Sequence, residues 1–410
     1  MRIALLTHEP FFPPSGGGSA EAVYLVEEFA RRGHSVHLFC PQFPDSGVIA
    51  GRMHLAIHPF TRWEMGRYTR LRNLKYLLYP SALAAQVRRK LLSDQRGHRE
   101  AFGFDLLFAQ HTISAVAAGK LRHELGVPVM LNFLDYLTGF METWPNWVMP
   151  RPVVRALTRY ELGLPCRYEV EGVLTVSTPL AERFAATGFP RDRIRPIQYG
   201  YDSASFRPAE GTPASSPGVV VMHGSFDQHH LGAIARTAVI HVARARPQTI
   251  FRFVGRETPA LNRFVAEVRN AVPAVKLELP GFVPYAEVAR QLQSADVGLV
   301  PYEESNGTHC AFVAKAVEYL GCGLAVVSTP LENLSRYFAG EPAMRFSQFD
   351  GESFGRELLA LLDTPAAQRR EAGLRASQRV ARELDWRAVT GAAVDAAEAV
   401  AAGRLIAPAV

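Results

Sequence analysis

Short runs of apolar residues alternate along this chain with longer stretches in which apolar residues recur every third or fourth position, a pattern of strands and helices in turn. RIALLT at the start is such a run. A loop from His8 to Gly18, a helix from Ser19 and a second run, HSVHLFC, complete a parallel βαβ unit. Ser19 is placed to cap that helix and Glu21 to suit its positive end. Val23, Val26, Phe29 and Ala30 form its buried stripe, and Arg31, Arg32 and Gly33 suit its terminus. DLLFAQ from Asp105, PVMLNFLD from Pro128 and GVLTVS from Gly172 predict further strands, with helical stretches such as ISAVAAGKLRHEL between them. Residues 1–202 therefore read as one doubly wound α/β domain.

From Asp202 to Pro217 the composition shifts to Ser, Pro, Ala and Gly, in YDSASFRPAEGTPASSPG, which predicts a linker over 203–217. A second α/β pattern fills 218–385, with strands expected in GVVVMHG, TIFRFVG, VKLELPG, VGLVPY and GLAVVST. No sequence repeat at constant spacing links the halves, so the duplication is one of architecture. A last helix, within 386–410, is placed to cross back onto the first domain. Two Rossmann-like domains facing across a cleft, with the carboxyl ends of both sheets lining it, is the expected α/β architecture.

Composition narrows the class without choosing a function. A chain of 410 residues, 48% hydrophobic and 20% charged, is an ordinary globular protein too long for a single core. The apolar run Ile3–Leu6 is too short for a signal peptide. No apolar stretch approaches the roughly 20 residues of a membrane span, and Asp395 and Glu398 break the alanine-rich tail. Cys40, Cys166, Cys310 and Cys322 show neither metal nor redox spacing, which suits a reducing cytoplasm. A net charge of +6 fits anionic substrates, anionic lipid or simple solubility, and no nucleic-acid motif accompanies it. In FTRWEMGRYTRLRNLKYLLYP, Arg62, Arg67, Arg70, Arg72 and Lys75 interleave with Trp63, Tyr68, Tyr76 and Tyr79. That mixture suits either a solvated helix face or peripheral contact with an anionic acceptor or the inner face of a membrane.

Two segments carry candidate chemistry. Gly16, Gly17 and Gly18 precede a helix, where backbone amides and the helix dipole favour an anion; a flexible loop without function has the same look. In GLVPYEESNGTHCAFVAKAVEYLGCGLAVVSTP, a helix is expected to bury Val313, Ala316, Val317 and Leu320. It presents Ala311, Lys315, Glu318 and Cys322 along the neighbouring edge. Glu318, about two turns in, is placed to accept two hydrogen bonds from a ribose diol; the alternative is a surface pair with Lys315.

Five stretches, in order and at similar distances, resemble glycosyltransferase family 4. They are the start through GGGSAEAVYLVEEFARRGHSV, GVLTVSTPLAERF, YGYDSASFRP, LPGFVPYAEVARQLQSADVGLVPY and KAVEYLGCGLAVVST. The resemblance implies a GT-B fold, a nucleoside-diphosphate sugar as donor with no further cofactor, no metal, and retention of anomeric configuration. It places diphosphate and sugar near Gly16, Gly17, Gly18 and the amides of Ala311, Phe312 and Val313. Glu318 matches the second Glu of the family's E-x7-E motif, and Phe282 and Val283 match the run that borders the base. Two departures stand out: Cys310 replaces the first Glu, and after the strand ending at Gly224 the expected Arg and Lys are absent. Ser225, His229 and His230 stand there instead, and Lys315, in a divergent K-x-x-E-Y arrangement, supplies part of the missing charge.

His111, ending DLLFAQH, and Asp135, in LNFLDY, are the candidate catalytic residues, although the His that commonly precedes the latter is Leu134 here. GFMETWPNWVMPRP, with Phe140, Trp144 and Trp147, suits an apolar or lipid-linked acceptor, or alternatively rings filling a core. The competing functions are a nucleotide-sugar epimerase of the same fold and a catalytically silent sugar-nucleotide binder.

Overall fold

The computed structural model describes residues 1–9, 11–12, 17–61, 75–96, 103–210 and 218–406. Gly16, the basic positions Arg62 to Arg72 and the Ser/Pro-rich 211–217 therefore lie outside the described residues. The chain forms two compact units, Met1–Tyr199 with Trp386–Val410, and Gly200–Asp385.

The first unit holds a sheet of seven strands: β1 (Arg2–Leu6), β2 (Ser35–Pro41), β3 (Ala56–Phe60), β4 (Leu106–Gln110), β5 (Val129–Phe133), β6 (Gly172–Thr175) and β7 (Ile194–Pro196). They run in the order β3-β2-β1-β4-β5-β6-β7, every pair parallel. Strands β4, β5 and β6 are buried at every position, which is why they read as unbroken apolar runs rather than alternating ones. The edge strands β3 and β7 each contain a proline, tolerated there because an edge has one hydrogen-bonding side to spare.

Helix Gly17–Arg31 starts before the expected position, so Ser19 is not its cap but a buried residue within it. Its buried face is Ala22, Leu25, Val26 and Phe29. Helix Trp386–Ala401 lies against it: Trp386 stacks on Tyr24 at 4.9 Å and meets Tyr199 edge-on at 4.8 Å. Arg32 secures the far end through Asp395 at 2.7 Å and Glu398 at 3.1 Å. The apolar residues of this last helix, from Trp386 to Val400, complete the first unit's core.

The second unit holds six parallel strands: β8 (Val219–His223), β9 (Ile250–Val254), β10 (Lys276–Gly281), β11 (Val297–Val300), β12 (Ala325–Ser328) and β13 (Met344–Phe346). Their order, β10-β9-β8-β11-β12-β13, is the 3-2-1-4-5-6 arrangement of dinucleotide-binding folds. Residues 200–206 belong to this unit rather than to a loose connector. Tyr201 and Phe206 are buried, Tyr201 N donates to Leu384 O at 3.0 Å, and Asp202 Oδ1 accepts from Ser205 N at 3.2 Å. No helix among the described residues is long and apolar enough to cross a membrane, and none of the four cysteines forms a disulfide.

Candidate functional site

In an open parallel sheet, ligands bind beyond the carboxyl ends of the strands where the winding reverses. In the second unit that point lies between β8 and β11. β8 ends at the buried His223, after which Gly224 turns the chain with φ +100°. A Cβ there would sit 2.8 Å from Lys315 Cε, so a side chain at 224 would both strain the backbone and push Lys315 aside.

Lys315 and Glu318 lie one turn apart on helix Ala314–Gly321, yet they do not pair with each other. Glu318 Oε2 is 2.7 Å from His223 Nε2, and Lys315 Nζ donates to Tyr302 Oη at 2.8 Å. Tyr302 follows β11, so both contacts stand at the reversal point. His230 Nε2 lies 3.4 Å from the same Lys315 ammonium. Protein surrounding the ammonium pushes Lys315 down to about 8, with Asp227 and Glu318 opposing that shift. Burial first, and the Lys315 charge second, push His230 down to about 3, leaving its imidazole neutral.

The helix carrying Glu318 is shorter than its apolar spacing predicts. Asn306–Cys310 form a separate turn of helix, capped where Ser305 Oγ accepts from Thr308 N at 3.0 Å and Thr308 Oγ1 accepts from Ser305 N at 2.9 Å. The chain is extended at Ala311 and helical again only from Ala314. Ala311 thus leaves the shared edge expected for it, and Glu318 stands about one turn from the helix start, not two. The side chains of Cys310, Ala311, Phe312 and Val313 are buried, with the Phe312 ring 5.4 Å from Tyr337. The amide of Ala311 is already bonded to Gly307 O at 3.0 Å. Phe312 and Val313 stand directly before the helix start at Ala314.

The ends of β8, β9 and β10 are laced together, Gly224 N donating to Val254 O at 2.8 Å and Gly255 N to Gly281 O at 3.0 Å. Phe282 leaves this edge with 69% of its surface exposed, the Arg256 guanidinium 4.7 Å from its ring centre. Ser225 is exposed and Val283 partly so. Sequence reasoning missed His223, Arg256 and Tyr302. Each stands at or just past the end of a strand beside Gly or Pro, and that position is the signal that marks them.

The first unit reverses between β1 and β4. His111 is not the end of the strand but the first residue of helix His111–Leu125, held at φ +62°, a region a non-glycine residue rarely adopts. Its ring meets His8 edge-on at 5.3 Å. A Cβ on Gly18 would lie 2.4 Å from His111 Nε2 and 2.9 Å from Glu9 Oε2, so the absence of a side chain lets the helix start close in. Gly17 begins that helix. Glu21, expected to suit the positive end of this helix, is buried and accepts from Gln110 Nε2 at 2.8 Å and Asn132 Nδ2 at 2.9 Å. Burial outweighs those bonds and pushes its carboxyl up to about 7.

Asp135 follows β5 and is exposed to solvent, yet enclosing protein, with Glu9 and Glu161 nearby, pushes it up to about 7. Water at the open side offsets part of that push. The buried Glu161 accepts from Thr138 N at 2.9 Å and Thr112 Oγ1 at 3.0 Å, which orders the turn after Asp135. The aromatic stretch that follows does not fill a core: Trp147 is 86% exposed and Trp144 36%. Helix Arg151–Leu162 buries only Val154, Glu161 and Leu162.

Residues 16–200 match the family described as glycosyl transferase 4-like domain, and residues 236–395 the one described as glycosyl transferase-like. No curated protein matches the chain in sequence. Among solved structures it is similar to a sucrose-phosphate synthase from Thermosynechococcus elongatus, at 17% identity and TM-score 0.72, covering 98% of this chain and 99% of that one. It is also similar to Anabaena HepE in complex with UDP-glucose, at 13% identity and TM-score 0.68, covering 98% and 100%. WaaG, a glycosyltransferase involved in lipopolysaccharide biosynthesis, follows at 15% identity and TM-score 0.59, covering 96% and 99%. At these identities the likeness shows the fold, two Rossmann-like domains of GT-B type.

Proposed function

We propose that this chain, a GT-B glycosyltransferase by its two matched domains and its fold, moves a sugar from a nucleoside-diphosphate sugar to an acceptor with retention of configuration. The observation that carries the donor half is the placement of Glu318 and Lys315 on one helix, held by His223 and Tyr302 at the reversal point of the second sheet. Glu318 binds the ribose diol. Lys315, with Ser225 and His230 close to Gly224, takes the charge that grows on the diphosphate as the glycosidic bond breaks. Phe282 and Val283 border the base. UDP-glucose bound to HepE, of the same fold, supports this donor class. His111 and Asp135 act on the acceptor side, where a carboxyl near neutrality suits proton transfer.

A panel of sugar nucleotides screened by thermal shift, with nucleoside diphosphate release followed for each, tests this reading. At least one donor should raise the melting temperature and be slowly hydrolysed without acceptor. Stabilisation with no release above buffer would instead make the chain a silent binder, a reading that Cys310, buried where the family has a sugar-binding Glu, keeps open. No stabilisation by any donor refutes both.

The acceptor is apolar and lipid-linked, met peripherally at an anionic membrane surface such as the inner face of a cytoplasmic membrane. Trp147, Val148, Val153 and Leu157 are exposed beside the exposed Arg151, Arg155, Arg159 and Arg167, a composition suited to a charged interface. Co-sedimentation with phosphatidylglycerol vesicles should retain the protein and lose it in Trp147→Ser/Leu157→Ser. Equal binding to neutral vesicles, or by the double variant, would refute the contact.

A further inference from the structure

We propose that Asp227, His229 and His230 form a binding site for a divalent transition-metal ion, zinc by its donor set. The three residues lie on the loop that follows Gly224, and their ligand atoms lie within 4.8 Å of one another. Asp227 Oδ1 is 3.0 Å from His229 Nδ1 and 2.7 Å from His230 Nδ1. Around an ion with bonds of about 2.0–2.2 Å, neighbouring donors stand roughly 2.9–3.4 Å apart, so the observed spacing is near that of adjacent corners of a coordination shell. Closing the shell then asks for the two imidazoles, whose ligand nitrogens lie within 4.8 Å of each other, to turn toward one point.

A second observation points to a cation rather than to a simple ion pair. His230 is 8% exposed, and its Nδ1 and Asp227 Oδ1 are both buried without a hydrogen-bond partner despite standing 2.7 Å apart. The distance suits a hydrogen bond but the angle does not. Two buried polar atoms therefore converge on one point with nothing between them, an arrangement that is costly unless a cation occupies it.

Two imidazoles with one carboxylate are a donor set that zinc accepts, and softer or harder ions less readily. His229 at 28% and Asp227 at 43% side-chain exposure leave the outer side of the shell open, so the ion keeps positions for water or a further ligand. With Nδ1 on the metal, His230 Nε2 carries its proton and no longer accepts from the Lys315 ammonium 3.4 Å away, which keeps its bond to Tyr302. Where the donor reading also holds, the ion adds positive charge next to Lys315, at the place where the resemblance leads one to expect an Arg and a Lys. That departs from the metal-free chemistry the resemblance implies.

The test uses the full chain, stripped with chelator and free of nucleotide, titrated with Zn²⁺ by calorimetry and separately with Co²⁺ followed by visible absorption. We expect one equivalent of Zn²⁺ at micromolar affinity or tighter, a cobalt spectrum typical of nitrogen and oxygen ligands, and a melting temperature that rises with the ion. His230→Ala should weaken binding about a hundredfold and Asp227→Asn about tenfold, while His123→Ala, an exposed histidine of the first unit, changes nothing. If His230→Ala fails to fold, His229→Ala, more exposed, takes its place. Sub-stoichiometric or millimolar binding, or equal affinity in the variants, overturns the site. Because no nucleotide is present, the outcome is separate from the transferase reading: Zn²⁺ binding without donor hydrolysis keeps the site and removes the activity, and the converse removes the site.

Discussion

Replacing Glu318 tests the nucleotide end of the site most directly. Its carboxyl is 13% exposed, with Oε2 on His223 at 2.7 Å, so it is oriented and partly sheltered from competing water. A hydrogen bond to such a group contributes about 1.5–3 kcal/mol. At about 2 kcal/mol for each ribose hydroxyl, Glu318→Ala forfeits about 4 kcal/mol, roughly a thousandfold in Kd, and Glu318→Gln, which keeps one acceptor oxygen, roughly thirtyfold. The alanine variant also strips His223 of its partner while His223 Nδ1 already has none, so some stability is lost as well. A ratio removes that complication. Calorimetry with UDP and with its 3′-deoxy analogue should show wild type preferring the ribonucleotide about thirtyfold, and Glu318→Ala binding the two alike. A preference that survives in Glu318→Ala would falsify the ribose role, whatever happens to absolute affinity.

Three further outcomes are expected. Gly18→Ala places a methyl 2.4 Å from His111 Nε2, so the imidazole must swing away; transfer should fall about tenfold or more with little change in melting temperature, and unchanged kcat/KM removes His111 from the reaction. Glu21 carries a raised carboxyl of about 7, so the folded chain keeps a proton that the unfolded chain releases near 4.5. Stability therefore falls as pH climbs from 4.5 to 7 and then levels off. Glu21→Gln, which cannot titrate, should match wild type in urea near pH 4.5 and exceed it by roughly 3 kcal/mol above pH 7, and a constant difference across pH contradicts this. Trp386→Ala empties the slot between Tyr24 and Tyr199 and should cost the first unit about 3–5 kcal/mol, seen as an earlier unfolding transition with the second unit unmoved.

How much of this was legible follows from what each residue touches. Strands β1, β4, β5, β8, β11 and β12 can be read directly because helices cover both sheet faces and almost every position is apolar. The edge strands β3, β7 and β13 cannot, being three to five residues long and, in AIHPF and IRP, carrying a proline. The break between Cys310 and Ala314 is hidden because apolar residues continue at helical spacing through it with no Gly or Pro. The Ser305-x-x-Thr308 cap was the local sign that a separate turn begins there. Lys315 and Glu318 were visible together on one helix, and the alternative considered there, a surface pair between them, does not form. Burial sends each to a residue from a different strand end, and Tyr302 and His223 are neighbours only in the folded sheet. Glu21 shows the same limit: its spacing suits a helix terminus, but the amides that claim it come from β4 and β5.

The helix Trp386–Ala401 fills the core of a unit whose strands all precede residue 200. A ribosome therefore finishes the seven strands of the first unit long before it makes their last core residues. Through the whole synthesis of Gly200–Asp385, helix Gly17–Arg31 carries an apolar flank with nothing yet to cover it. The later-made unit, uninterrupted in sequence, is free to fold first, reversing the usual amino-to-carboxyl order for the two halves. A stop codon near residue 385 would leave every strand in place and still deprive the first half of its native state, and a chaperone that shields apolar helices has its longest opportunity in that interval.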